Sequence, residues 1–512
     1  MPLNLISDSW IPVIQNGVAV TIRPDQIAEK GVERLDWPRP DLNLACYELL
    51  IGITYLAFPP EDEEDWSTRI ADPEKLRNAF APLTYAFNLT GQKPLFMQDF
   101  EHLDTKEVPC DRLFLDSSGE NSLKKNSDLM VKRDRYTDLS LPLAAMALYT
   151  LQDFAPEGGV GHRTSLRGGG PLVALVMPNI QDSPTPLWDI IWANIPYGKP
   201  IPPEKLPEHL PWLKPTFTSE NERIKLPPDM KAVPPENFFG MPRRVELICN
   251  EAGDRITAFR QKNYGINYSG WVHPLTSYYL NPKTMEKLPG HPKSGMFCYR
   301  DWQGILIGKE GASVPSCIHT YRVRNDNSEE NVLVGGWKMK TMTPVDFLWS
   351  QQPLFPFSEN QEILASDFIS AAASMAEALK FSLKLAQRED AIQKAFDDFF
   401  LRTEPDFRSL LRDMIHSKDK DDGPNFARRW LAIISRTALT LYDEICQPLV
   451  LTSDITPKDN DKKFGISVSN IVKGRSKLIF QSLGYPPLGK SVFDFLNIPL
   501  PEKKGKEQNH DR

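Results

Sequence analysis

The stretch "GGVGHRTSLRGGGPLVALV" at 158–176 contains the residue types that could bind an anion. Six glycines, two arginines and a histidine precede a short apolar strand. Nucleotide-binding loops combine glycines with cations in this way, but they follow a strand and open a helix. Here the loop precedes a strand and lacks the G-x-x-x-x-G-K-[ST] pattern, so a nucleotide site is disfavoured. Two interpretations remain: turns with positive φ, or bare backbone that another molecule approaches closely.

No other pattern predicts catalysis. The sequence contains no G-x-S-x-G elbow, no H-E-x-x-H and no kinase motif set. Its six cysteines include no Cys-x-x-Cys pair, and its eight histidines show no metal-ligand spacing. We interpret His162, beside Arg163, as a loop contact rather than a base. The expectation is therefore a protein that is not an enzyme and uses no cofactor or metal.

The overall charge limits how this chain can meet nucleic acid. Its 512 residues carry a net charge of −7, whereas a free-standing nucleic-acid-binding protein is usually basic. Any such contact must therefore use local basic patches. No long apolar run and no signal-peptide pattern appears, and the scattered cysteines fit a reducing compartment, so we expect a cytoplasmic protein without a membrane span.

Hydrophobic patterning predicts two kinds of architecture along the chain. Short strands, isolated helices and proline-rich coil fill the first part, and the 45 prolines indicate many irregular connections. Four amphipathic helical stripes follow. We predict an α+β protein with a large, irregular mixed domain of short sheets and many loops at 1–358. A four-helix bundle at 359–498 and a disordered tail at 499–512 would follow; the alternative is a single fused body.

Five motifs occur in an order that resembles a known family. They are "LISDSWIPV" at 5–13, "PLFMQ" at 94–98, "APEGGVGHRTSLRGGGPL" at 155–172, "GMPRRVEL" at 240–247 and "GGWKM" at 335–339. In this order they resemble the large subunit of type I-E CRISPR Cascade, the CasA family. The resemblance covers nearly the whole chain, and "PLFMQ" and "SLRGGGP" are its most specific pieces.

The resemblance implies a non-catalytic subunit of an RNA-guided antiviral surveillance complex. Such a subunit recognises the PAM, a short tag in double-stranded target DNA, through the minor groove. It wedges open the adjacent duplex to start the R-loop, and it recruits the helicase-nuclease. The implied partners are the Cascade backbone, the small and handle-binding subunits, the guide RNA and PAM-bearing DNA. One alternative is a structural adaptor that holds the guide's 5′ handle without reading the PAM; an enzyme with an unrecognised pocket is another.

Two PAM-reading features map onto this sequence through the resemblance. Gly158, Gly159 and Gly161 match the family's glycine loop, from which Val160 and Glu157 depart, and Glu157 would repel phosphate unless turned away. Lys262 in "ITAFRQKNYG" matches a lysine that enters the minor groove. The alternatives are ordinary turns and a solvated surface lysine.

A third feature is the hairpin tip that splits the first base pair beside the PAM. The residues at this position are Lys340, Thr341 and Met342, where some relatives have a glutamine. Apolar side chains such as methionine act as wedges in other minor-groove proteins. We predict that Thr341 or Met342 takes this role; the alternative is an ordinary turn with a buried methionine.

Basic residues elsewhere are candidate phosphate contacts. The loop at 124–136 would meet guide RNA through Lys132, Arg133 and Arg135. In the bundle, possible DNA contacts are Arg428, Arg429, Lys473, Arg475 and Lys477. For both sets the alternative is a solvated charge without a partner.

Overall fold

The computed structural model divides into two compact units. The first comprises Met1–Ser294 and Gly311–Phe355, and the second comprises Gly295–Glu310 and Pro356–Arg512. The described residues are 2–70, 72–119, 123–126, 132–133, 135–159, 161–179, 184–293, 295–325, 328–384, 389–417, 422–452 and 468–501.

Short antiparallel strands form the sheets of the first unit. Within the described residues there are three three-stranded sheets and one four-stranded sheet, and β8 is central to the largest because it pairs with β4, β5 and β7. The strands are β1 Ile11–Gln15, β2 Val18–Ile22, β3 Val32–Leu35, β4 Glu107–Pro109, β5 Leu139–Ser140, β6 Val173–Met177, β7 Arg244–Cys249, β8 Arg255–Lys262, β9 Tyr278–Leu280, β10 Lys287–Pro289, β11 Ala312–Ser313, β12 Glu330–Lys340 and β13 Thr343–Leu354.

Two buried helices form the centre of the first unit. The first has a proline in its opening turn and is buried on nearly every face, as its continuous apolar run predicts. The second starts where the Ser140 hydroxyl accepts a hydrogen bond from Leu143 N. In chain order the helices are α1 Pro40–Ala57, α2 Glu63–Thr68, α3 Pro73–Phe80, α4 Leu141–Phe154, α5 Leu187–Asn194, α6 Leu206–His209 and α7 Ser316–Arg324.

The β12–β13 hairpin is the longest sheet element of the unit. β12 pairs with β13 on one side and with β6 on the other. Two glycines of "GGWKM" let it lie close to its neighbours: a Cβ built on Gly335 would meet Leu44 of α1 at 2.7 Å, and one on Gly336 would meet the Pro171 carbonyl at 2.3 Å. Side chains at these positions would therefore push the hairpin away from α1 and from the glycine-rich stretch before β6.

The second unit is helical. Its first helix begins at a capping box formed by Ser358 and Gln361, as expected for an S-x-x-Q sequence. Apolar faces of the long helices pack together around Trp430, whose indole is fully buried. The helices are α8 Glu359–Leu383, α9 Glu389–His416, α10 Gly423–Thr452, α11 Val468–Ser482 and α12 Gly489–Phe495.

The α+β prediction with a C-terminal helical region is confirmed. The four predicted long helices are present, and two features were not anticipated: the short α12, and the segment Gly295–Glu310, which packs in the helical unit. Tyr299 of that segment stacks on Phe407 at 4.3 Å between ring centres and hydrogen-bonds Thr403 at 2.7 Å. None of the helices described here has the length and hydropathy needed to cross a membrane. Of the predicted tail at 499–512, residues 502–512 lie outside the described residues.

Candidate nucleic-acid interface

The glycine-rich stretch forms a lobe that leaves and re-enters the fold at the end of α4. Two backbone hydrogen bonds close its base: Ser165 N donates to Ala155 O at 2.9 Å, and Gly170 N donates to Phe154 O at 3.1 Å. Residues 156–159 and 161–164 therefore lie in a loop whose two ends are fixed at one base. The three glycines predicted to meet DNA lie in this loop, which we call the glycine lobe.

The three predicted glycines differ in what surrounds them. A Cβ built on Gly161 would lie 2.8 Å from Tyr264 N, and one on Gly158 would lie 2.7 Å from the Arg243 guanidinium. Gly159, with φ of +93°, has nothing within 4 Å of a built Cβ. Gly158 and Gly161 are thus explained by close internal packing, whereas the face of Gly159 is open to a second molecule.

The cationic character of the lobe is weaker than its sequence indicates. Burial, together with the nearby Arg243 charge, lowers the pKa of His162 to about 4, so its ring is neutral at pH 7. Its Nδ1 lies 3.2 Å from the Gln261 amide nitrogen. His162 is therefore a loop contact, as the sequence interpretation holds, and Arg163 is the one arginine within residues 156–164.

Arg167 anchors the base of the lobe. Its buried guanidinium pairs with Asp153 at 2.7 Å and with Glu48 at 2.9 Å, and it hydrogen-bonds Thr276 at 3.1 Å. Burial raises the pKa of Glu48 and lowers that of His273, which faces the same group. Asp153 lies in the last turn of α4, where a carboxylate opposes the helix dipole, so the arginine compensates an otherwise unfavourable charge.

Lys262 ends β8 beside the glycine lobe. It is exposed, pairs in register with Arg244, and forms no ion pair with any residue that the structure describes. Two residues later, Tyr264 N donates to the Gly161 carbonyl at 2.8 Å. The exit of β8 and the lobe are therefore joined directly, which places the predicted lysine next to the predicted loop.

The β12–β13 tip also lies against the glycine-rich stretch. Lys340 pairs with Thr343, and the two residues between them have positive φ, +50° at Thr341 and +62° at Met342. This is the conformation of a type I′ hairpin turn. All three wedge candidates are exposed, Met342 by 46%. A Cβ built on Gly169 would lie 3.5 Å from the Met342 sulfur, so the tip is adjacent to the lobe's base and the methionine is not buried.

The structure thus brings three predicted features to one surface. The glycine lobe contacts the exit of β8 through Gly161, and the adjoining "GGG" contacts the hairpin. We call this surface, which comprises residues 156–159 and 161–170, Lys262 and the tip 340–342, the convergent face. In sequence its parts are separated by about 80 to 100 residues.

The described residues of the basic loop before α4 lie outside the convergent face as defined above. Lys132 and Arg133 are exposed, and Arg133 hydrogen-bonds Asn126 at 2.8 Å. Arg135 is instead held internally, because it pairs with Asp116 at 2.9 Å. Burial alone would raise the pKa of Asp116, but hydrogen bonds from Arg135 and Arg39 outweigh burial and lower this pKa to about 2. The charge of Arg135 is therefore already neutralised within the fold.

The candidate cations of the helical unit also divide into those that pair with a carboxylate and those that have no such partner among the described residues. Arg429 pairs with Asp413 and Arg475 pairs with Asp443, each at 2.7 Å. Among the described residues, exposed Arg428 hydrogen-bonds only the Asn425 side chain, at 3.4 Å, and the Lys477 ammonium lies 5.1 Å from the Phe381 ring centre. Lys473 is exposed and has no ion-pair partner among the described residues. Arg428, Lys473 and Lys477 thus keep the charge that a phosphate contact would use.

Sequence reasoning missed three residues that line a cleft of about 720 Å³ beside the glycine lobe. Asn221, Glu222 and Tyr264 have φ of +56°, +60° and +65°, a region that non-glycine residues seldom adopt. Together with Gly159 and Gly161 they place five left-handed residues around one cleft. Such clusters occur at binding sites, where the surrounding fold maintains the strain. Only Asn221 carries a sequence signal, because asparagine tolerates this conformation.

Comparison with known proteins identifies the family. The family model for "CRISPR-associated protein Cse1" matches residues 4–441. The chain therefore belongs to the Cse1 family, as the motif order indicates. Within the described residues, no group of three or more histidine, cysteine or acidic side chains is arranged to hold a metal ion.

Solved structures show the same fold over nearly the full length. Thermus thermophilus CasA (Cse1) is 16% identical, with a TM-score of 0.68 over 97% of this chain and 99% of that one. Thermobifida fusca Cse1 is 14% identical, with a TM-score of 0.69 over 97% and 98%. A chain in a structure called "CRISPR RNA-guided surveillance complex" is 15% identical, with a TM-score of 0.68 over 93% and 99%. At these identities the likeness establishes the fold.

Proposed function

We propose that this chain is the non-catalytic large subunit of a type I-E RNA-guided surveillance complex. In this role it assembles with the backbone, small and handle-binding subunits around a guide RNA. Membership of the Cse1 family supports the proposal, as does the full-length fold likeness to a chain of such a complex. The recruitment of a helicase-nuclease belongs to the same proposal and is supported by family membership.

Within the complex, the convergent face recognises the PAM and starts strand separation. The observation that carries this part is the direct contact of the glycine-rich stretch with both the exit of β8 and the hairpin tip. An open backbone at Gly159 and a cation at Lys262 with no ion-pair partner among the described residues suit the minor groove, where acceptors predominate and a side chain must be slim. The adjacent tip then lies where the first base pair beyond the tag would open.

The Lys262→Ala variant tests the reading step. We expect the assembled complex to bind PAM-bearing duplex about tenfold more weakly, because a charged groove contact is lost and about 1.4 kcal/mol corresponds to tenfold. Binding to duplex without the PAM should change much less. Gel-shift titrations of both duplexes measure the ratio, and Lys30→Ala is the matched control because Lys30 is exposed and belongs to none of the candidate binding sites.

Two outcomes separate this function from the adaptor alternative. A parent complex that binds both duplexes equally would indicate an adaptor that holds the guide handle while a neighbour reads the PAM. If the parent complex prefers PAM-bearing duplex and the Lys262→Ala variant keeps the same affinity ratio, Lys262 does not belong to the reading surface.

A further inference from the structure

A closed series of hydrogen bonds fixes Arg163 in the glycine lobe. Gly161 O accepts from Tyr264 N at 2.8 Å, and Tyr264 O accepts from Ser219 N at 3.2 Å. The Ser219 hydroxyl in turn accepts from Arg163 Nε at 2.9 Å, which returns the series to the lobe. Because Ser219 is buried, it holds the guanidinium in one orientation.

The remaining guanidinium nitrogens of Arg163 have no acidic partner in the part of the chain that the structure describes. Among the described residues, no carboxylate lies within ion-pair distance of Arg163. Two exposed carboxylates, Glu157 and Glu222, nevertheless line the same cleft. His162, the other basic group there, is neutral, so these side chains carry one positive and two negative charges. Such a cleft holds a small free anion poorly, but it can contact a phosphate on a molecule that other contacts position.

We propose that Arg163 contacts a backbone phosphate of the docked DNA and holds the duplex against the open face of Gly159. The inference rests on the proposed function. An arginine held at Nε presents its two terminal nitrogens side by side, which matches the paired oxygens of a phosphate. A phosphate contact positions a protein without reading sequence. The carboxylates of Glu157 and Glu222 repel the phosphates of the DNA strand. They therefore weaken the binding of duplexes, most visibly of those that make no base contact with the protein.

The test uses the assembled complex and the salt dependence of duplex binding. For Arg163→Gln we expect about tenfold weaker binding to duplexes with and without the PAM, with an unchanged ratio between them. The slope of log K against log salt should fall by about 0.9, the value for one phosphate. Glu222→Gln should strengthen binding to both duplexes. Arg34→Gln removes an exposed arginine from β3 and is the charge-matched control.

Neutral methylphosphonate linkages beside the PAM then locate the contact. One substituted position should weaken the parent complex about tenfold and leave Arg163→Gln unaffected. An Arg163→Gln variant with unchanged slope would overturn the inference, and so would one that changes only the PAM ratio, because Arg163 would then read bases. If the parent itself fails to discriminate the PAM, the proposed function fails instead, whatever the slopes.

Discussion

Gly159→Asp is expected to lower affinity for PAM-bearing duplex about a hundredfold while the complex still assembles. A Cβ built at this position points into open space, with no atom beyond the chain neighbours within 4 Å. The carboxylate would face the DNA, where like charges brought together cost several kcal/mol, and about 2.7 kcal/mol corresponds to a hundredfold. Gel-shift titration measures the loss, and thermal unfolding monitors the fold.

The matched control for this substitution is Gly253→Asp. Gly253 lies in the turn between β7 and β8 with φ of +70°, and a Cβ there also meets nothing within 4 Å. Both variants therefore introduce the same charge at a positive φ, which is +93° at Gly159 and +70° at Gly253, and both should lower the unfolding midpoint. Equal DNA affinity in the two variants would mean that the open side of Gly159 does not face the duplex.

The double variant Thr341→Asn, Met342→Gly is expected to slow R-loop opening at least tenfold without lowering the unfolding midpoint. Asn-Gly is the preferred type I′ pair, and this chain already uses it at Asn16–Gly17, with φ of +49° and +77°. The change therefore relieves the backbone at the tip but removes the side chains that would displace a base. Unstacking costs a few kcal/mol, so losing even about 1.4 kcal/mol of that support gives a tenfold effect.

Permanganate footprinting of unpaired thymines follows the opening rate, and gel shifts show whether initial PAM binding is retained. The reciprocal control is Asn16→Thr, Gly17→Met, which places the same residues in the turn between β1 and β2. It should lower the unfolding midpoint and leave opening unchanged. If the R-loop opens at the parental rate in the Thr341→Asn, Met342→Gly variant, the wedge lies elsewhere.

Local patterning predicts much of the fold because the informative contacts are close in sequence. The apolar run of α1 and the helical stripes of α8 to α11 specify buried helices by themselves. The placement of Gly295–Glu310 is different, because Tyr299 and Trp302 could have filled any aromatic pocket. Long-range packing of this kind leaves no periodic signal.

At the candidate site, sequence gives the residue types but not their electrostatic surroundings. Arg135 and Arg163 are both arginines in loops, yet Asp116 neutralises one and a serine hydroxyl holds the other. The neutral state of His162 follows from its burial. That burial depends on the packing of His162 against Gln261, which is 99 positions away in the sequence. The left-handed conformation of Tyr264 has no sequence signal, because nothing in a tyrosine favours it.

Crosslinking from the hairpin tip tests most directly whether the convergent face meets the DNA beside the PAM. A photoreactive phenylalanine analogue replaces Met342 in the assembled complex, and the same analogue at exposed Val18, in the β1–β2 hairpin, is the control. We predict crosslinks from position 342 to the base pair next to the PAM, and none from position 18. Crosslinks from position 342 to protein or RNA alone would contradict the proposed role of this face.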